Sequence, residues 1–456
     1  MNIVILGAGE IGAYLAKVLS EQQHNVIVID KDPQILEKVS EKADIATLQG
    51  YGSRWKLLDR LIENQPDLFI AMTGDDETNL VTCAIAKNLG YPKTVARVKE
   101  IGFLGRSRLD FSRLFYVDHF IGAEMLAAND ILKSIINPED LAIENFAHGA
   151  IQMRTFVITE KWDKKNKELN TINFPDEMII GLIKRKKQDP KNPSKSVDEI
   201  IFPHGNDHLK AGDEITVIGE SKFMQDIHNY FNIEQKKTKS VVIVGGTPVG
   251  VRLAHILELR NINVKIIEHD EKRCKEIADL LPKTTVILEE GTNMQFFASE
   301  QIENVDAFVT CTNTDEANFL IASIAKHMGC KKVISLISNT NFAPVLKSHD
   351  IDFTVSERVN IANKILSIIH AEKVISIASL YDGKVKVLEI KVSENCELVG
   401  IPLSDLSSRL PKDLIVCAIE NRGRIIIGKG NRIISPSDTL IIITKPEELN
   451  QLQDLF

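Results

Sequence analysis

Three glycines, Gly7, Gly9 and Gly12, follow the apolar run Ile3-Val4-Ile5-Leu6 in the spacing Gly-x-Gly-x-x-Gly, and a carboxylate, Asp30, ends the next apolar run, Val26-Ile27-Val28-Ile29. This is chemistry for holding a phosphate. The first glycine permits a tight turn, the second lets backbone approach a pyrophosphate, and the third lets a helix pack close to the strand. The helix that starts here turns free N–H groups and a partial positive charge towards the phosphates. Asp30 is placed to accept both hydroxyls of an adenosine ribose, and its charge repels a 2′-phosphate, which favours NAD over NADP. Gly7, Ala8, Gly9, Glu10, Ile11 and Asp30 are the candidate ligand contacts. A glycine-rich turn kept only for close packing is the plainer reading.

The pattern recurs. Val241-Val242-Ile243-Val244 runs into Gly245-Gly246-Thr247-Pro248-Val249-Gly250, and Glu268 ends the following strand. Thr247 replaces the middle glycine, adding a Cβ near the phosphates but also a hydroxyl donor. Pro248 suits a helix start, where its missing N–H has no helical partner. Gly245, Gly246, Thr247, Pro248, Val249 and Glu268 form the second candidate set, and a copy that keeps only the fold is the alternative.

Thr73-Gly74-Asp75-Asp76-Glu77 and Thr312-Asn313-Thr314-Asp315-Glu316 each end an apolar strand and open a helix. Such turns face the ligand crevice of a parallel sheet. Thr73, Gly74, Thr312 and Asn313 are candidate contacts, while Asp75, Asp76 and Asp315 read as helix N-caps. Gly52, after the third strand, is a candidate at the adenosine end. Arg97 ends the fifth strand within reach of a phosphate, and Leu336 takes its place in the second copy, so the two sites should differ. The basic stretch Lys184-Arg185-Lys186-Lys187-Gln188-Asp189-Pro190-Lys191-Asn192-Pro193 is expected to be a solvated loop, with contact to an acidic partner or lipid head groups as the alternative. His24, His119, His148, His204 and His208 show no metal-ligand spacing.

The elements that must position these residues alternate. Strands are expected at 2–6, 25–29, 45–48, 67–71 and 94–98, with helices at about 10–21, 33–42, 53–63, 77–89 and 121–136. The short strands lack polar alternation, as in parallel sheets covered on both faces. Residues 239 to about 356 repeat the plan, and a helix at about 357–371 repeats the one at 121–136, with Glu357 opposite Glu124. Blocks 140–232 and 373–456 carry short alternating strands and also resemble each other, Leu209 to Ile218 matching Ile434 to Ile443. The expected class is α/β: two Rossmann-like doubly wound parallel-sheet lobes, each followed by a small α+β domain. The expected boundaries are 1–137, 138–233, 239–372 and 373–456, with a polar linker at 234–239.

The chain has 456 residues, net charge −8 and 26% charged residues, which argues against a general nucleic-acid binder. No apolar run is long enough to span a bilayer and no signal peptide is apparent. The six scattered cysteines suit buried thiols in a reducing cytoplasm. None of the six tyrosines has a lysine four residues later, and no His, Lys and carboxylate cluster suggests catalysis. Two nucleotide units without a catalytic domain point to a sensor, not an enzyme.

The motifs Ile5-Leu6-Gly7-Ala8-Gly9-Glu10-Ile11-Gly12, Thr73-Gly74-Asp75-Asp76-Glu77-Thr78-Asn79, Ala96-Arg97-Val98 and Thr312-Asn313-Thr314-Asp315-Glu316-Ala317-Asn318 together resemble the tandem RCK (regulator of K⁺ conductance) family of Trk regulatory subunits over essentially the whole chain. The resemblance implies a cytoplasmic protein, peripheral on the inner face of the membrane, that binds NAD(H) and, as a further ligand, ATP or ADP. It implies a homo-oligomeric ring of RCK lobes gating a membrane potassium-translocating subunit of the TrkH/TrkG type. Gly7 to Ile11, Asp30, Thr73, Gly74 and Arg97 fall on the family's first nucleotide site. Gly245 to Val249, Glu268, Thr312 and Asn313 fall on its second. A regulator of another cation transporter stays open.

Overall fold

The computed structural model describes residues 1–104, 108–189, 192–339, 342–369, 374–381, 384–394, 396–408, 410–411 and 413–448. The chain opens with β1 (Asn2–Leu6), β2 (Asn25–Asp30), β3 (Ala46–Gln49), β4 (Leu68–Ala71), β5 (Lys93–Arg97) and β6 (His119–Ile121). These form one parallel sheet in the order β3-β2-β1-β4-β5-β6. Between and after them lie α1 (Glu10–Glu21), α2 (Pro33–Ser40), α3 (Trp55–Leu61), α4 (Asp76–Leu89), α5 (Phe111–Phe115) and α6 (Ala123–Ile136). Ile3 to Leu6 are all buried, because helices cover both faces of the sheet. The strand order reverses between β1 and β4, and that reversal opens a crevice at their C-terminal ends. There the Met72 N–H donates to the Leu6 carbonyl at 2.7 Å, bringing the Gly7 loop and the Thr73 turn together.

A five-stranded antiparallel sheet follows, β7 (Asp140–Phe146), β8 (Ile151–Val157), β9 (Met178–Asp189), β10 (Asn192–Ile201) and β11 (Glu214–Glu220), in the order β10-β9-β11-β8-β7. Two short helices close it, α7 (Ser221–Met224) and α8 (Ile227–Tyr230). The second nucleotide-type lobe has β12 (Ser240–Val244), β13 (Asn263–Glu268), β14 (Thr285–Leu288), β15 (Ala307–Thr310), β16 (Val333–Leu336) and β17 (Phe353–Val355) in the order β14-β13-β12-β15-β16-β17. Its helices are α9 (Pro248–Leu259), α10 (Glu271–Leu280), α11 (Met294–Ser299), α12 (Asp315–His327), α13 (Ala343–Ser348) and α14 (Glu357–Ile369). The last sheet, β18 (Val374–Leu380), β19 (Val385–Lys391), β20 (Leu414–Asn421), β21 (Arg424–Ile427) and β22 (Thr439–Thr444), is ordered β18-β19-β22-β20-β21, the same topology as the first small sheet. Asp213 and Asp438, both buried, accept the N–H of Lys210 and Ser435 at equivalent turns, 2.7 and 2.8 Å away.

Two compact units result, one made of Met1–Leu132 with Lys239–Ala362 and the other of Lys133–Thr238 with Asn363–Phe456. Like therefore packs with like: the two nucleotide-type lobes share one unit and the two small sheets the other. In the second unit Met153, Leu182 and Ile218 join Val387, Cys417, Ile441 and Ile443 in one core. A Cβ at Gly181 would stand 2.4 Å from Ile443 Cδ1, which shows how closely the two small sheets approach.

Three sequence expectations need correction. The sixth strands, β6 and β17, go unforeseen because each has only three residues. The basic stretch from Lys184 is no solvated loop: through Asp189 it lies in β9, which pairs antiparallel with β10. Its charges meet acids of the same sheet. Lys184 Nζ is 2.9 Å from Glu214, Arg185 Nη2 2.6 Å from Asp213 and Lys187 Nζ 2.7 Å from Glu199. Pro190 and Lys191, like the expected end of the last crossover helix at 370–371, lie outside the described residues. Last, Asp75 does cap α4, but Thr314 caps α12, while Asp76 and Asp315 bind backbone N–H groups of the strands' exits.

Candidate nucleotide sites

The three glycines of the first loop have different reasons to be glycine. Gly7 has φ +101°, a region that L side chains rarely adopt, and a Cβ on Gly12 would fall 1.9 Å from the Gly7 carbonyl oxygen. Both are demanded by the fold itself. Gly9 has φ −60° and ψ −178°, open to any residue, and a Cβ there would meet nothing within 4 Å. The loop thus presents open space at Gly9, beside the exposed Glu10 that begins α1, while Ala8 and Ile11 are buried. No side chain caps α1. Its first-turn N–H groups face outward with their partial positive charge.

Asp30 closes the other side. Its Oδ2 accepts the Ala8 N–H at 2.7 Å and its Oδ1 the Asp32 N–H at 3.0 Å. A carboxylate has about four acceptor positions, so two remain for ribose hydroxyls. Thr73 sits opposite, its N–H and hydroxyl both bound to the Oδ1 of buried Asn79, 3.0 and 2.7 Å away. Asn79 Nδ2 in turn donates to the Arg97 carbonyl at 2.9 Å, tying the turn to β5. Gly74 is exposed, and its carbonyl accepts Lys99 Nζ at 2.6 Å. Lys99 is a cation that the sequence reading passed over; its position two residues past Arg97 on the same strand exit is the signal. Arg97 itself is paired, Nη2 to Glu124 Oε1 at 2.9 Å, both side chains largely buried. At Gly52 a Cβ would lie 2.3 Å from Leu6 Cδ2, so the fold's own packing demands this glycine whether or not a ligand meets it.

The second loop keeps the structural positions and alters the open one. Gly245 has φ +109°, and a Cβ on Gly250 would lie 2.4 Å from the Gly245 carbonyl oxygen. Thr247 turns its hydroxyl inward, donating to the Cys311 carbonyl at 2.7 Å and capping Gly250 N–H at 3.4 Å. The expected outward donor is therefore engaged, because the end of β15 offers a carbonyl in reach. Pro248 is exposed at the start of α9 and Val249 is buried. Glu268, only 7% exposed, accepts N–H groups from Gly246 (2.7 Å), His269 (2.8 Å) and Asp270 (3.0 Å), and His269 Nδ1 stands 2.8 Å from it. Arg273 Nε donates to the Gly246 carbonyl at 2.8 Å. Thr312 repeats the Thr73 arrangement on Asn318, whose Nδ2 binds the Leu336 carbonyl at 3.0 Å; Asn313 is exposed. Ser338 accordingly stands where Lys99 does, and Leu336 where Arg97 does. An open depression of about 550 Å³ beside Glu268 is lined by His269, Asp270, Glu271, Lys272 and Lys275.

Within this unit the lobes exchange charge. Arg358, second residue of α14, places Nη2 2.6 Å from Glu10 Oε2. Its neighbour Glu357 is partly buried, and burial pushes its carboxyl up to about 7, the charges of Glu124 and Glu10 adding to the rise and those of Arg97 and Arg358 opposing it. Among the described residues no group of three or more His, Cys, Asp and Glu could hold a metal ion, and no helix is long and apolar enough to cross a membrane.

Two doubly wound lobes with paired glycine loops and two small antiparallel sheets define a tandem RCK-like architecture. Solved structures carry the same fold. The RCK domain of GsuK superposes with TM-score 0.63 at 16% identity, covering 100% of this chain and 94% of that one. A GsuK channel bound to NAD gives 0.63 at 16% (100% and 78%), and GsuK bound to ADP 0.52 at 14% (82% and 70%). The TrkA-N domain family matches residues 3–105 and 241–357, and the TrkA-C domain family residues 387–456. A "Trk system potassium uptake protein TrkA homolog 2" from Methanosarcina mazei is 31% identical over 464 residues, covering 100% of both chains. The chain belongs to the TrkA family.

Proposed function

We propose that this chain is a cytoplasmic regulatory subunit, peripheral on the inner face of the membrane, that gates a potassium-translocating membrane subunit of the TrkH/TrkG type in response to nucleotides. NAD(H) occupies the first loop, with its pyrophosphate over Gly9 and the start of α1 and its adenosine ribose on Asp30. ATP or ADP is a competing or second ligand. One observation carries the reading: of the three glycines in the first loop, only Gly9 has no structural reason to lack a side chain. Two unequal sites in one chain suit a sensor, and ligands act by binding one arrangement of a homo-oligomeric ring of lobes better than another. The reading is of a regulator and not of an enzyme.

Calorimetry of the full chain with NADH, ADP and ATP, on wild type and Asp30→Ala, tests the site. NADH binding that is lost in the variant is expected, and equal affinity removes Asp30 from the site. Potassium flux through the membrane subunit reconstituted with this chain tests the switch. Flux unmoved by saturating nucleotide sinks the gating role and leaves a regulator of another transporter.

A further inference from the structure

Glu10 poses a problem for any phosphate at the first loop. It is the first helical residue of α1, next to the open space at Gly9, and it carries a negative charge. The structure balances that charge from the other lobe, through Arg358 on α14. The two partners of this bridge are unequal. The Glu10 side chain is 73% exposed and can swing into solvent, whereas that of Arg358 is 20% exposed and held in place. Arg358 Nε is buried and makes no hydrogen bond among the described residues, so the Glu10 bridge leaves guanidinium donors unused. A half-exposed ion pair of this kind contributes little, and a guanidinium–phosphate contact, with two parallel hydrogen bonds, is stronger. The bridge also runs one way. At the equivalent places in the second loop and first crossover helix stand Pro248 and Met125, which cannot form it.

We propose that Arg358 is a phosphate-binding residue of the first nucleotide site, donated by the second lobe. Glu10 holds the guanidinium at the mouth of the loop, and a nucleotide phosphate docking at Gly9 and the start of α1 displaces the Glu10 carboxylate and takes its place. The ligand then touches both lobes of the unit, so that binding at one loop is felt by the helix that leads out of the other lobe. This inference rests on nucleotide binding at the first loop and names a regulation of that same site.

The test uses the full chain, ADP and NADH as probes, and calorimetry. The first-loop event is identified as the one abolished by Gly9→Val. Arg358→Gln should weaken that event about tenfold, the value of one charge-assisted contact, and Glu10→Gln should strengthen it about threefold by removing the competitor. Opposite signs are the signature. If the bridge were merely structural, both substitutions would break it alike and shift affinity in the same direction, and that result, or no shift in either, overturns the proposal. Should Arg358→Gln fail to fold, Glu10→Gln still decides: tighter binding supports the exchange and weaker or equal binding refutes it. Wild-type chain that binds neither probe would instead bring down the nucleotide reading itself.

Discussion

The two glycine loops of this chain differ at the one position their common fold does not dictate. Gly7 and Gly245 share a positive φ, and Gly12 and Gly250 share a near-contact with the carbonyl of the turn. Between them, Gly9 leaves space open and Thr247 fills it with a side chain that caps its own helix. The supporting groups diverge in the same direction. Asp30 accepts two backbone N–H groups, while buried Glu268 accepts three and abuts His269. Arg97 and Lys99 give way to Leu336 and Ser338, and Arg273 appears on the other flank. The first loop leaves space and acceptor positions open; the second satisfies most of its polar groups internally. The two copies share what folding requires and differ where folding leaves a choice.

The sharpest way to break that comparison is Gly9→Val. A valine fits the backbone there and its Cβ meets no neighbour, so thermal unfolding should lose only what a poorer helix N-cap costs, about 0.5–1 kcal/mol. Nucleotide affinity at this loop should fall at least a hundredfold, about 2.7 kcal/mol, because the side chain stands where the pyrophosphate must come. Calorimetry and a melt on the same sample decide. Retained affinity would mean that the open space serves no ligand. Gly12→Ala is the contrasting control: its Cβ must push the Gly7 carbonyl away, and overpacking of this kind costs roughly 1–3 kcal/mol in the melt.

Much of this contrast could be read in the sequence, and the unread part has a physical explanation. The strand–turn–helix unit was legible because glycine spacing and β-branched runs are local signals. The Thr247 replacement and the Arg97 to Leu336 change were legible because the copies align. Lys184 to Lys187 misled because consecutive basic residues resemble a loop, although their partners, Glu214, Asp213 and Glu199, lie on or beside the paired strands, 12 to 30 residues further along the chain. Arg358 was invisible for the same reason: only folding brings α14 of one lobe to the α1 start of the other. The inward turn of the Thr247 hydroxyl also depended on a distant group, the Cys311 carbonyl.

Arg97 probes the next difference. Replacing it with the residue of the second lobe, Arg97→Leu, leaves Glu124 largely buried without its cation, and breaking such a pair costs about 3 kcal/mol. Denaturant titration at pH 8 should show the full loss. At pH 5 it should be smaller, because Glu357 is then protonated and no longer draws on the Arg97 charge. A loss independent of pH would assign the effect to packing and not to charge.

Glu357 gives the cluster its pH dependence. Its carboxyl holds a proton up to about 7 in the folded chain, against an ordinary value of 4.5 when unfolded. Between those values the folded state binds more protons, so stability falls as pH rises through the window and the loss is complete above pH 7. The size is on the order of 3 kcal/mol. Glu357→Gln should therefore be more stable than wild type at pH 8, equal to it near pH 4, and flatter in between. Melts across that range that run parallel for the two proteins would remove Glu357 as the titrating group.

Thr247→Gly makes the smallest and most specific change, turning the second loop into the likeness of the first. Glycine is a fair helix N-cap, so losing the cap on Gly250 should cost only a few tenths of a kcal/mol, and losing the donor to the Cys311 carbonyl about 1 kcal/mol more. If the Thr247 side chain alone kept a dinucleotide away, NADH affinity at this loop should rise sharply. The geometry argues for a modest rise of about threefold, roughly 0.7 kcal/mol. Glu268 would still be engaged by its three backbone donors, and the strand exits would still present Leu336 and Ser338 where the first lobe has Arg97 and Lys99. A second substitution, Ser338→Lys, should then add to the first, because it supplies the missing cation beside the Thr312 turn. Full dinucleotide affinity from Thr247→Gly alone would show that one Cβ separates the two loops; additivity of the pair would show that the difference is spread over the whole rim.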